Sequence, residues 1–194
     1  FYLRFLDTAL TAEVAEARTV GTAILRLADA PVLPFAFGAV ARNYRRYADE
    51  IAGLAARNDT TKGLDLAPLR GAVARLDSAA QRYEAALAPL DRMTAAEVVA
   101  RHDALDRVNR MLYLTERAVT DTAGLPRRPW FRNLIYAPGL YTGYGAKTMP
   151  GIREAVELRR RDEAQAEAAR VTSAVSRLAG EVDRAAAALR EALK

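Results

Sequence analysis

The chain has no cysteine, one histidine and one tryptophan in 194 residues, and no apolar run nears the roughly 20 residues that cross a bilayer. Without cysteine there can be no disulfide, no thiolate metal ligand and no cysteine nucleophile, and the redox compartment stays open. One histidine cannot supply the three or four converging ligands of a usual zinc site. No glycine-flanked serine elbow, phosphate-cradling loop or dinucleotide fingerprint appears, and Gly139, Gly143 and Gly145 follow no strand pattern. Blocks of one charge are missing too. Basic residues number 29 and acidic ones 24, but Arg42, Arg45 and Arg46 run into Asp49 and Glu50, and Arg159, Arg160 and Arg161 into Asp162 and Glu163. Alternation of this kind marks solvated helix faces rather than a stripe that tracks phosphates.

What is present is helical periodicity. Val14, Ala17, Val20, Ile24 and Leu27 recur at helical spacing until Pro31 and Pro34, and Phe37, Val40, Tyr44, Tyr47, Ile51 and Leu54 make a second stripe. Asp65 can cap a third helix carrying Leu66, Leu69, Val73, Leu76, Ala80, Tyr83 and Leu87. Thr94 and Glu97 form a capping-box pattern ahead of a fourth, which runs through Val98, Leu105, Leu112 and Val119. Pro150 suits a first helical position, and apolar spacing then continues to Leu193. One unbroken helix there would be roughly 60 Å long, so a break near Gly180 is expected. The opening Phe1, Leu3 and Phe5 alternate like a strand, over too few residues to define one. The fold class expected is all-α: a bundle of about five helices, forming one helical domain over residues 1–194. The start at Phe1, with no Met or basic-then-apolar leader, reads as a mature product or a piece of something longer.

The exception to the helical pattern is Pro126–Gly151, with four prolines, four glycines and five aromatics. Helix connections usually take about two to eight residues, and disordered ones are poor in aromatics, so this is read as an ordered loop that presents residues to a partner. Its prolines restrict the backbone in advance of packing. Trp130, Tyr136 and Tyr141 are expected to plug it onto the bundle. His102, between Val98 and Leu105, is expected on the buried edge of helix four, and Asp103 and Asp106 as solvated charges; no catalytic or metal-binding residue is assigned to the chain.

The sequence Ile135-Tyr136-Ala137-Pro138, then Tyr144, then Met149-Pro150-Gly151-Ile152, resembles the C-terminal helical domain of the transferrin receptor and glutamate carboxypeptidase family. Val20–Asp29 with Val32-Leu33-Pro34-Phe35 is similar to the opening helix of that domain. The resemblance implies a dimerisation domain that packs beside a zinc-dependent exopeptidase domain and an apical domain, forms a homodimer, and lends the loop from Tyr136 to Pro150 to the substrate pocket. It carries Tyr144 onto the tyrosine that reaches the substrate's C-terminal side chain or carboxylate. Gly143 falls where glutamate-selective members carry lysine, so a glutamate preference does not follow. Zinc, the peptide substrate and hydrolase chemistry are implied for a parent metallopeptidase, carboxypeptidase or aminopeptidase, and not for this chain alone. The compartment stays open, with secreted or periplasmic the direction in which the resemblance leans. Two other readings stand beside this one: a domain of a non-catalytic receptor-like or scaffolding homologue, and a basic helical module for nucleic acid or a membrane surface.

Overall fold

A computed structural model describes residues 1–194, the side chains of Tyr2 and Leu3 excepted. The chain forms two compact units, Phe1–Pro34 and Phe35–Lys194.

The first unit holds α1 (Tyr2–Phe5) and α2 (Thr11–Ala28). The opening residues are thus a helical turn instead of the strand-like run that Phe1 and Phe5 suggest; Leu3 lies outside the described side chains. The two phenylalanine rings stack at 5.2 Å, which the four-residue step of a helical turn allows and strand alternation does not. At the start of α2, Leu10 adopts a left-handed conformation, and the Asp7 carboxylate accepts the Ala12 amide and the Thr11 hydroxyl. No residue of α2 is buried; Val14, Val20, Ile24 and Leu27 of its apolar stripe are exposed, and so is Leu25 beside them.

The second unit is built on α3 (Phe37–Ala56), α4 (Ala67–Leu87) and α8 (Arg161–Ala192). Their stripes are those that the sequence marks out: Tyr44 and Ile51 on α3, Leu69, Val73, Leu76 and Tyr83 on α4, and Val171, Val175, Val182 and Leu189 on α8 are buried. The dominant packing is of α8 along α4. Buried alanines on both helices, among them Ala72, Ala79, Ala174 and Ala185, suit that packing, because small side chains let helix axes approach closely. Tyr83 meets Phe37 edge to face at 5.2 Å. Asp65 caps α4 one position early, accepting the Ala67 amide at 2.9 Å.

The fourth stripe is interrupted. After a 3₁₀ turn at Ala88–Arg92, α5 (Ala95–Ala100) begins with the expected capping box: Thr94 Oγ1 accepts the Glu97 amide and Glu97 accepts the Thr94 amide. The chain then turns at Arg101 into α6 (His102–Tyr113), followed by a 3₁₀ turn at Thr115–Val119. His102 sits at the exposed start of α6, its side chain 72% exposed and 3.7 Å from Asp106, rather than at a buried edge. It stands in the first turn of α6, at the end of the helix, ahead of the buried Leu105 and Leu112.

The long C-terminal pattern breaks too, but not at Gly180, which lies inside α8. The break falls between α7 (Pro150–Glu157) and α8, where Arg159 is left-handed with φ 59°. The Arg160 amide reaches the Ala155 carbonyl at 2.8 Å and the Arg159 amide that of Val156 at 3.0 Å. This is a Schellman cap with arginine at the position that glycine usually takes. Sequence reading looks for the glycine, and here there is none. A residue with a Cβ is strained in this conformation, and Arg159 is exposed. Arg159→Gly is therefore expected to stabilise the domain by about 0.5–1 kcal/mol, net of the flexibility that glycine adds to the unfolded chain, read as a higher urea midpoint at unchanged slope.

Candidate functional site

The segment between the Thr115–Val119 turn and α7 is ordered by its own backbone. Asp121 and Leu125 amides donate to the carbonyls of Arg132 and Phe131 at 2.9 Å, and Leu134 donates to Val119 at 3.0 Å, closing an arch. At its crown, Leu125-Pro126-Arg127-Arg128 makes a tight turn, with proline at the second position and positive φ at Arg127. Gly124 also has positive φ, and a Cβ there would fall 2.0 Å from the Pro129 carbonyl oxygen, so only glycine fits.

Past the arch, Asn133 Oδ1 accepts the Ile135 and Tyr136 amides and launches a hairpin. Its strands are β1 (Tyr136–Pro138) and β2 (Ala146–Thr148), antiparallel, with Tyr136 opposite Thr148 and Pro138 opposite Ala146. The tip, Gly139 to Gly145, closes with the Gly139 amide on the Gly145 carbonyl at 3.0 Å. Leu134, Ile135 and Met149 at the hairpin's base are fully buried.

The base is bound by a buried ion pair. Arg128 Nη2 donates to Glu154 Oε1 at 2.9 Å, both side chains almost wholly sealed from solvent, and the same oxygen accepts the Leu140 amide at 2.9 Å. One carboxylate on α7 thus ties the arch to the first residues of the tip. Further ties join the hairpin to α3: the Tyr47 and Tyr136 hydroxyls lie 3.0 Å apart with their rings edge to face, and Arg153 bridges Glu50 at 2.8 Å and the Thr148 hydroxyl at 2.9 Å. Burial, with the Tyr47 hydroxyl beside it, pushes the Tyr136 phenol up to about 12. Lys147 pairs with Glu157. On the arch side, Arg127 grips Glu163 through two hydrogen bonds of 3.0 and 2.7 Å, which hold that carboxyl below the usual range. Beneath α7, Glu167 is buried, and burial raises its pKa against the opposing bond from Arg170. Its carboxyl end lies where a Cβ on residue 151 would be, so Gly151 lets α7 rest there without displacing the Glu167 side chain.

The expected anchors and the observed ones differ. Trp130 and Tyr141 are 71% and 80% exposed and plug nothing; the polar network and the aliphatic base residues hold the loop, leaving those rings free of packing duty. Tyr136 does face α3. Tyr144 is fully exposed at the tip, and around Gly143 there is open space. Arg128 and Glu154 escaped sequence reading because, 26 residues apart, they share no local spacing. Among the described residues no three His, Cys, Asp or Glu side chains converge to hold a metal ion, and His102 with Asp106 does not fit zinc. No described helix is long and apolar enough to cross a membrane.

Residues 64–190, which run from the start of α4 through this hairpin into α8, match the family described as the transferrin receptor-like dimerisation domain. The chain belongs to that family. It is 32% identical over 157 residues, or 79% of its length, to a probable glutamate carboxypeptidase of Arabidopsis thaliana, and 27% identical over 179 residues, or 89%, to an aminopeptidase of Mus musculus. An inactive zinc metalloprotease of Schizosaccharomyces pombe is 33% identical over 84 residues, or 43% of the chain and 10% of that protein. The matched part spans 21% of the Arabidopsis protein and 23% of the mouse one. Within the family domain, the Glu154 carboxylate is the residue on which the hairpin's placement turns. Glu154→Ala strands the Arg128 guanidinium in the interior and is expected to cost about 3–5 kcal/mol. Chemical unfolding checks that figure, and limited proteolysis should show cleavage moving to residues 139–145.

Proposed function

We propose that this chain is the dimerisation domain of a zinc-dependent exopeptidase of the glutamate carboxypeptidase kind, that it assembles a homodimer, and that its Tyr136–Pro150 hairpin forms part of the parent's substrate pocket. Zinc and the reacting groups belong to the parent's peptidase domain. The observation that carries the reading is the contrast within one hairpin: a base sealed by Arg128 and Glu154, and a tip where Tyr144 stands fully exposed. A fixed base with an offered tip suits a pocket wall, since a binding group must be held near its working position before the ligand arrives. The Tyr144 phenol can donate one hydrogen bond to the main-chain carboxylate at a substrate's C-terminus, and Gly143 beside it leaves room for the ligand. The similarity to a probable glutamate carboxypeptidase and to an aminopeptidase supports the peptidase class. The similarity to an inactive zinc metalloprotease favours, as a second reading, a homologue that keeps the assembly role without hydrolysis.

For the homodimer, the support is α2. A helix with an apolar stripe and no buried residue is an interface awaiting a partner, and we assign a second copy of the chain as that partner. Sedimentation equilibrium is expected to show a dimer, and Ile24→Glu with Leu27→Glu to shift it to monomer without loss of helicity. A wild-type chain that stays monomeric at every concentration overturns the assignment. For the pocket wall, Tyr144→Phe in the full-length parent is expected to raise KM about tenfold or more, the loss of one hydrogen bond to a charged group, with zinc content and melting temperature unchanged. Unchanged kinetics removes Tyr144 from the site.

A further inference from the structure

The tip from Gly139 to Gly145 reads Gly-Leu-Tyr-Thr-Gly-Tyr-Gly and carries no charged side chain. The cations tied to it are all engaged elsewhere. Lys147 is paired with Glu157, Arg153 with Glu50, and Arg128 is buried against Glu154. Arg127 in the arch is held by both oxygens of Glu163. Two aromatic rings remain on offer, Tyr141 and Tyr144, both largely or wholly exposed.

Tyr141 is not a loose surface residue. The Leu140 amide before it is fixed on the buried Glu154 carboxylate, and the Thr142 amide after it turns back towards the Gly139 carbonyl. The backbone on both sides is therefore held while the ring is left in solvent. A large ring with few rotatable bonds on a fixed backbone is the kind of group that anchors binding partners.

A ligand side chain facing this tip would meet aromatic faces and phenol hydroxyls and, among the described cations tied to the hairpin, none that is unpaired. Neutral aromatic or large apolar groups gain from that surface. A carboxylate would be desolvated against it with no counter-charge. Resting on the pocket-wall reading above, we infer that Tyr141 is a specificity-determining residue and that the parent's pocket selects peptides whose terminal side chain at this loop is aromatic or large and apolar, against acidic ones.

The test uses the full-length parent and short peptides that differ in one terminal residue, Phe, Leu or Glu, placed in turn at each end. For the end that is cleaved, kcat/KM is expected to be at least about tenfold higher for Phe and Leu than for Glu. Tyr141→Ala should lower kcat/KM about tenfold for Phe, less for Leu and within about twofold for Glu, the scale of one aromatic contact. Nothing lies within 4 Å of a Cβ at residue 143, so Gly143→Lys fits; it should raise kcat/KM for the Glu peptide about tenfold. Melting temperatures of the variants confirm folding. A wild-type preference for Glu, or an equal loss for every peptide in Tyr141→Ala, overturns the inference while leaving the loop in the pocket. If neither Tyr141→Ala nor Tyr144→Phe alters any peptide, or the parent cleaves none of them, the pocket-wall reading fails and this inference with it.

Discussion

The hydrogen bonds to Glu154 Oε1 are the constraint on which the arch and the hairpin depend. That one buried oxygen accepts from Arg128 in the arch and from Leu140 in the tip, and it sits on α7, whose far side rests on α8 through Gly151 and Glu167. A buried ion pair is a poor source of net stability, because desolvating two charges takes back most of what their attraction supplies. What it provides is uniqueness. An aliphatic contact could slide by an ångström; a guanidinium and a backbone amide on one carboxylate cannot.

The same device recurs along the helix scaffold. Arg161 donates to the carbonyls of Lys62 and Gly63, Arg170 to that of Gly124, and Arg177 to those of Ala118 and Thr120. Each projects from α8 and satisfies carbonyls in an irregular segment that no helix could satisfy. Arginine is suited to this because its donors lie in a fixed plane and its stem reaches far from the helix axis. The basic composition has a structural outlet here: many of the chain's positive charges clasp backbone carbonyls or pair with carboxylates.

The framework was legible in the sequence wherever a local rule operated. The stripes of α3, α4 and α8, the capping box at Thr94 and Glu97, and Pro150 at the start of α7 all depend on residues within a few positions of one another. So did the existence of an ordered loop, since prolines, glycines and aromatics between two helices have few other meanings. Legibility ended where a position broke its usual habit. Arg159 takes the left-handed cap that glycine normally fills, so the break before α8 was looked for at Gly180. The break at Arg101 puts His102 in the exposed first turn of a new helix instead of inside one continuous fourth helix. Trp130 and Tyr141, which by size should anchor a loop, are exposed because polar groups already do that work.

What the sequence determined by itself was the helical class, the position of the loop, and the order of motifs that mark a transferrin receptor-like dimerisation domain. These follow from spacing, and spacing is a one-dimensional property. The tertiary structure alone decided which charges pair, which aromatics face solvent and which oxygen fixes the hairpin. Arg128 with Glu154, Arg127 with Glu163 and Tyr47 with Tyr136 lie 26, 36 and 89 residues apart, and nothing local to either partner indicates the other. The physical reason is that a buried polar group must find a partner wherever the folded chain brings one within reach, and only the packed helices define that place.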